Sequence, residues 1–314
     1  MAFSSVALAE WFETSEAIMG TSVQAEIWHT DALRAEALLA QVMTVMWGVD
    51  TAFSPFKPDS ELSVLNRRAG VGWVAVSAEL LDLLARSRQM SEMAHGAFDI
   101  TYASVGRYYD YRDGVKPSDE KIRSALEAIN YRYVELDMAG SRGRFQHPDV
   151  YVDLGGIAKG YAVDVAIDLL KKAGVDQASV SAGGDSRILG DRRGQPWTVG
   201  VKHPRKPDAM VAILPLEETA VSTSGDYERF FERDGVRYHH ILDPTTGDSA
   251  RRSMSVTILG PQATFTDALS TSVFVLGPEK GLELVNQLPG IDAIIIDEDG
   301  NMRFSEDLQE LATP

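Results

Sequence analysis

Apolar residues fall into two rhythms along this chain, and the switches between them mark its elements. Between Ser22 and Trp28, Val23, Ala25 and Ile27 alternate with polar residues, the period of a half-buried strand. Residues 31–50 change to helical spacing, with Leu33, Ala37, Val42, Val45 and Val49 on the predicted apolar stripe. Ser60 is placed to cap a short helix over Glu61–Asn66, Ser77 one running from about Glu79 to Met93, and Ser118 one ending near Ile129. Further strands are predicted at Arg132–Leu136, Val150–Leu154, Ala178–Ser181, Trp197–Val201, Met210–Leu214, Ala220–Tyr227, Arg237–Leu242, Ser253–Leu259 and Ala293–Asp297. A helix is predicted over Ala263–Val275. Several strands look hairpin-joined and strict βαβ alternation is missing. That predicts an α+β fold, with mixed and largely antiparallel sheets, packed helices and no Rossmann domain.

One stretch, Tyr151–Asp164, concentrates the informative features. Tyr151–Leu154 reads as a short buried strand, Gly155-Gly156 as a turn that lets backbone approach a ligand, and the residues from about Ile157 as a helix. A glycine turn between strand and helix is a place where an anion meets free backbone N–H groups, and Lys159 adds positive charge there. Ordinary tight packing explains such a turn equally well. The GxGxxG and GxxxxGK[ST] patterns are both absent.

Composition narrows the chemistry. The 314 residues carry a formal net charge of −16, which argues against nucleic acid as the main partner. An anionic ligand would need a local counter-charge such as a metal ion. With no cysteine, disulfides, thiolate metal sites and cysteine nucleophiles are excluded. No apolar run approaches a membrane span. Val6-Ala7-Leu8-Ala9 resembles the small-residue end of an export signal but lacks a basic region and a full apolar stretch. As encoded, the expected location is the cytoplasm; a start assigned too late would move it to the periplasmic side of the inner membrane.

Candidate chemistry is spread along the chain. Asp267 and Thr271 stand at i and i+4 on one helical face, with Ser270 on its adjacent edge. These are hard oxygen donors of the kind Mg²⁺ takes, although an ordinary polar helix start reads the same way. His239 and His240 fall at a strand end, on opposite faces, so one must point away from any shared site. The other is a ligand contact or proton-transfer group, or a histidine bonded to a turn. Asp153, Asp185 and Asp226 each adjoin glycine or a strand end, where a turn-forming role is open to all three. His95 begins a turn and reads as structural. No Ser-His-Asp order and no HExxH pattern is legible.

Taken together, the segments resemble one family: the ApbE-like bacterial flavin transferases, once called thiamine biosynthesis lipoproteins. The carrying segments are Met19-Gly20-Thr21, Ser54–Leu62, Gly96–Thr101, Asp153–Asp164, Gly183-Gly184-Asp185, Thr223–Tyr227, His240–Gly247 and Asp267–Thr271. They span Ile18 to about Gly300. The resemblance implies an ApbE-like, T-fold-like domain over 18–305, with 1–17 an N-terminal extension and 306–314 a tail. It implies Mg²⁺-dependent FAD:protein FMN transfer: the pyrophosphate of FAD is split, FMN is joined by a phosphoester to Ser or Thr of an acceptor flavoprotein, and AMP is released.

By the same resemblance, Met19, Phe56, Ala97, Phe98, Asp99, Gly155, Lys159 and Ile241 line the FAD site, and His240 sits by the phosphates. The metal is held by Asp267, Thr271 and the main-chain carbonyl of Ala158, with Ser270 at a third side-chain position; His240 and Asp267 are the catalytic pair. Phe56 stands where many members carry Tyr, Ser270 where some carry Asp, and the family's lipid-anchor cysteine is absent. Two other activities stay open: an FAD pyrophosphatase yielding FMN and AMP, and a flavin-binding protein without turnover.

Overall fold

The computed structural model describes residues 10–206 and 208–312, and turns most of these patterns into one antiparallel sheet under a layer of helices. The strands are β1 (Glu10–Ile18), β2 (Thr21–His29), β3 (Val74–Ala75), β4 (Val134–Asp137), β5 (Arg142–Phe145), β6 (Ala178–Ala182), β7 (Asp185–Leu189), β8 (Trp197–Lys202), β9 (Met210–Leu216), β10 (Ala220–Gly225), β11 (Phe230–Arg233), β12 (Val236–His239), β13 (Ser253–Gly260), β14 (Asp292–Asp297) and β15 (Met302–Phe304). The helices are α1 (Ala32–Phe53), α2 (Glu61–Arg68), α3 (Ala78–Met93), α4 (Ala103–Gly106), α5 (Asp119–Leu126), α6 (Ala158–Lys172), α7 (Ala263–Leu276), α8 (Pro278–Val285) and α9 (Glu306–Ala312). The main sheet has eight strands in the order β1-β2-β6-β7-β10-β13-β14-β15. Every neighbouring pair in it is antiparallel. Helices α1, α6 and α7 pack on it and on one another. One buried core runs from Ile18 to Ile295, and a small satellite gathers Val105, Tyr109, Ile122, Ala125 and Leu242.

Where a cap or an alternation is local, the structure follows the sequence. Ser60, Ser77 and Ser118 each accept a hydrogen bond from the backbone N–H three residues on, at Ser63, Leu80 and Lys121. In β2, Val23, Ala25 and Ile27 are buried while Ser22 and Gln24 are exposed. The stripe of α1 is rotated from the expected one. Its buried residues are Ala35, Leu38, Leu39, Val42, Met43, Met46, Val49 and Phe53, while Leu33 is 80% exposed. Steps of three and four from Ala35 keep these residues over the sheet.

Two further expectations change. Tyr151–Leu154 is extended but joins no sheet. The side-chain amide of Asn66 stands in for a neighbouring strand: its Oδ1 accepts from Val152 N (2.7 Å) and its Nδ2 donates to Val152 O (2.8 Å). Glu10–Ala17, expected ahead of the domain, pair residue by residue with β2 as part of β1, and Trp11 packs edge-on against Trp28 and Trp197. This edge strand shows no clean alternation, so it leaves no pattern to read. Of the expected tail, residues 306–312 form α9; Val6–Ala9 lie outside the described residues.

Helices α6 and α7 meet closely because Gly160 has no side chain. A Cβ there would lie 2.1 Å from the carbonyl oxygen of Ala263 and 2.8 Å from Cβ of Asp267. No rotamer change relieves a clash with backbone. Gly160→Ala is therefore expected to destabilise the fold by about 3 kcal/mol or more, the upper range for overpacking. Chemical denaturation measures this; a loss below about 1 kcal/mol would show that the helices separate easily.

Candidate active site

The site is assembled at the α6–α7 junction. Neither helix is capped by the side chain at its own N-cap: Ile157 precedes α6, Gln262 precedes α7, and neither side chain bonds the first turn. Each helix instead supplies the other's cap. Asp267 of α7 accepts from Gly160 N through Oδ2 (3.0 Å). Asp164 of α6 accepts from Ala263 N (3.0 Å), Thr264 N (2.8 Å) and the Thr264 hydroxyl (2.6 Å). A carboxylate at a helix N-terminus is favoured by orphan N–H groups and by the helix dipole. Arg187 Nη1 pairs with Asp164 at 2.8 Å.

Lys159 lies at the centre of a buried charge cluster. Its ammonium contacts Asp185 Oδ2 at 2.8 Å and both Asp267 oxygens at 3.3 Å, and donates to Gly155 O at 3.1 Å. Asp185 and Asp267 are both buried, whereas a quarter (25%) of the Lys159 side chain reaches the surface. Burial and the charge of Asp185 push Asp267 well above the usual carboxylate range, against the pull of Lys159 and the Gly160 N–H. Burial lowers Lys159, but Asp185 and Asp267 outweigh it, so the net shift is upward and the group stays an ammonium. Beside this cluster, Ser224 Oγ lies 2.8 Å from Ser270 Oγ and 3.2 Å from Thr271 Oγ1. Ser270 also donates to Asp267 O at 2.9 Å.

The other motifs close around the same place. Met19 (φ 56°) and Gly20 (φ 73°) form the tight turn between β1 and β2. Two positive φ values are what such a hairpin requires, and Met19 holds one without glycine's freedom. A Cβ on Gly20 would lie 3.2 Å from Arg229 Nη2, and one on Gly183 only 2.7 Å from Thr21 Oγ1. The β1–β2 turn, the Gly183-Gly184 turn and the segment after β10 are thus neighbours. The Arg229 guanidinium makes no ion pair among the described residues, yet its charge acts on Asp153, Tyr102 and His240. Burial raises the pKa of Asp153, whose Oδ1 accepts from Gly155 N at 2.6 Å, so Asp153 does form the turn. Asp226 instead holds Arg205 (2.7 and 2.6 Å) and Arg237 (3.3 Å).

The two histidines part as the strand pleat requires. His239 is buried against the Phe274 ring, bonds Ala250 O through Nε2 (2.7 Å) and accepts from Ile241 N through Nδ1. His240 has the charges of Arg229 and Lys159 nearby, and its buried Nδ1 has no hydrogen-bond partner. Burial pushes His239 down to about 4; burial, reinforced by Arg229, takes His240 to about 3.

The remaining candidates divide. Phe56 is 81% exposed and open to a stacking partner. Gly155 is exposed, while Met19 and Ala97 are half-buried. Phe98 is buried beneath Gly156, and Ile241 is buried in the core. Asp99 is engaged by its own surroundings, accepting from Thr101 N, the Thr101 hydroxyl and Tyr131 N. Ala158 is the first residue of α6 and is buried. Asp185, Arg229, Ser224 and Asp164 were not singled out as site residues from the sequence. Their partners lie far along the chain; only the Gly183-Gly184 turn before Asp185 hinted at a special position.

The fold is an α+β sheet-and-helix one, with a buried acid–ammonium cluster, neighbouring hydroxyls and, among the described residues, a guanidinium at Arg229 without an ion pair. The profile of the ApbE family matches residues 19–295, and the chain belongs to that family; it is a transferase. A relative from Treponema pallidum named FAD:protein FMN transferase is 34% identical, over 94% of this chain and 86% of its own. A Vibrio cholerae relative of the same name is 33% identical, over 95% and 91%. The crystal structure of the ApbE protein from Thermotoga maritima superposes with a TM-score of 0.88 at 36% identity, covering 96% of this chain and 99% of that one. The flavin transferase ApbE from Vibrio cholerae superposes at 0.86 and 29% identity, covering 96% and 99%.

The buried imidazole of His239 has a stability consequence. Its pKa is about 4 in the fold against an ordinary 6.5, so the unfolded chain binds more protons between those values. Its contribution is intact above pH 6.5 and is lost as pH falls towards 4. Between pH 7 and 4.5 the wild type is expected to lose roughly 2 kcal/mol more unfolding free energy than His239→Gln. Urea titrations at both pH values measure this; equal losses would place His239 in a solvated setting.

Proposed function

We propose that this chain is a Mg²⁺-dependent FAD:protein FMN transferase. It would take FAD and an acceptor flavoprotein, form a phosphoester between FMN and a Ser or Thr hydroxyl of the acceptor, and release AMP. The observation that carries the reading is the Lys159–Asp185–Asp267 cluster with the unpartnered His240 Nδ1 beside Lys159 and Arg229. Such a set suits phosphoryl transfer, which needs positioning and charge neutralisation more than covalent help from the protein.

The donor set fits a hard divalent cation. A single ammonium serves two buried carboxyl groups, burial and the charge of Asp185 hold Asp267 raised, and the Ser270 and Thr271 hydroxyls of the same helix lie against Ser224. Mg²⁺ takes oxygen donors and keeps waters and substrate phosphates in its shell, so a few protein oxygens are enough to hold it. Asp267, Thr271 and the Ala158 carbonyl would hold it, with Ser270 alongside. When bound it supplies neutralisation of charge developing on the pyrophosphate.

The chain's own groups supply the rest. Phe56 offers an exposed ring for the flavin to stack on. Lys159 and Arg229 bring positive charge to an otherwise acidic protein, where a pyrophosphate would sit. His240 is neutral at working pH and so able to accept a proton. Burial depresses it most, with Arg229 and Lys159 adding to that; an arriving phosphate would offset the two cations and raise its basicity. The acceptor hydroxyl oxygen attacks the phosphorus of the FMN half, the bond to the bridging oxygen breaks, AMP departs with that oxygen, and His240 takes the hydroxyl proton.

Incubation with FAD, Mg²⁺ and an acceptor flavoprotein tests the reading: a fluorescent acceptor on a denaturing gel is expected, with stoichiometric AMP. FMN and AMP without labelled acceptor would make the protein a pyrophosphatase, and unchanged bound FAD a flavin-binding protein. Asp267→Asn keeps an acceptor for the Gly160 N–H and removes the charge, so the fold is expected to survive while Mg²⁺-dependent AMP release falls by about 100-fold or more, roughly 3 kcal/mol of transition-state stabilisation. A folded Asp267→Asn variant with the wild-type rate and Mg²⁺ requirement would remove Asp267 from the metal site.

A further inference from the structure

Lys159 and a metal ion compete for the same carboxylate. The ammonium has three N–H donors, and its acceptors are Asp185 Oδ2 at 2.8 Å, Gly155 O at 3.1 Å and the Asp267 oxygens at 3.3 Å. The shortest contact is to Asp185, not to Asp267. Asp185 is 2% exposed, and no other cation pairs with it among the described residues. Its position is fixed by the sheet: it is the first residue of β7, paired with Ala182 across the Gly183-Gly184 turn and with Ser222 of β10.

We propose that Asp185 is a positioning residue for cation binding: it holds the Lys159 ammonium so that Asp267 is free for a divalent metal ion and Lys159 is free to contact substrate phosphate. The inference rests on the reading of Asp267 as the metal-holding carboxylate. Without Asp185, an ammonium leaving Asp267 would be a largely buried charge with no anionic partner. It would stay on Asp267 and exclude the metal. With Asp185, it keeps a short ion pair when the metal arrives, and the donor that faced Asp267 is released. Groups of this kind behind a metal ligand commonly change metal affinity 10–100-fold.

Mn²⁺ binding to the full chain, followed by electron paramagnetic resonance of the free ion with and without FAD, separates the cases. Asp185→Asn is expected to weaken Mn²⁺ roughly tenfold or more, and Lys159→Met to tighten it. If Asp185 acts through Lys159, adding Asp185→Asn to Lys159→Met changes the affinity by less than about threefold. Equal losses in both backgrounds would mean that Asp185 acts through its own charge, and would overturn the inference while leaving Asp267 as a ligand. So would wild-type affinity in folded Asp185→Asn. Should Asp185→Asn fail to fold by circular dichroism, Lys159→Met decides: unchanged Mn²⁺ affinity overturns the competition. A wild-type chain that binds no Mn²⁺ in either condition, or an Asp267→Asn variant that binds it normally, overturns the metal reading itself.

Discussion

The exchange of caps between α6 and α7 is the constraint on which the site depends. Each helix begins without a side-chain cap of its own, and each receives a carboxylate from the other, Asp267 in one direction and Asp164 in the other. Gly160 makes the exchange possible, since any side chain there would meet the backbone of Ala263. The arrangement fixes Asp267 beside Lys159, and Thr271 one turn further along α7 beside Ser224 of β10. A buried carboxylate that caps a helix is also held in place for chemistry, so fold and site share the same contacts.

The protein is acidic overall but places cations locally. Net charge is −16, yet the charges of Lys159 and Arg229 both act on His240 and Asp153, and Lys159 pairs with two buried acids. The imidazoles show the same economy. One nitrogen pair is bound into the core at His239, while His240 presents an enclosed nitrogen without a partner. An unpartnered buried nitrogen is costly in a resting protein, which suits a group whose partner arrives with substrate.

Local features were legible in the sequence because their physics is local. The three serine caps bond residues three positions on, and β2 shows its alternation within a few residues. The ordered motifs identified the family, and the fold sets Lys159 against Asp267, Thr271 beside Ser224, and the charge of Lys159 near His240. What stayed hidden depends on distant partners. Asp164 meets Thr264 across the α6–α7 contact, Asp185 of β7 meets Lys159 of the helix packed on it, and Asn66 replaces a neighbouring strand for Val152. Strand β1 carries no alternation, and the α1 stripe is shifted by the packing that selects it. Two motif residues are also tied to distant partners, Asp99 accepting from Tyr131 N and Phe98 lying beneath Gly156.

The central claim is that the α6–α7 junction holds a divalent cation and the pyrophosphate of FAD together. A crystal structure with FAD and Mn²⁺, with anomalous scattering collected at the manganese edge, tests it most directly. The expected result is an anomalous peak in contact with the Asp267 carboxylate and Thr271 hydroxyl, phosphate oxygens beside it, and the Lys159 ammonium still paired with Asp185. A peak elsewhere, or FAD bound with its phosphates away from Lys159 and Arg229, would contradict it.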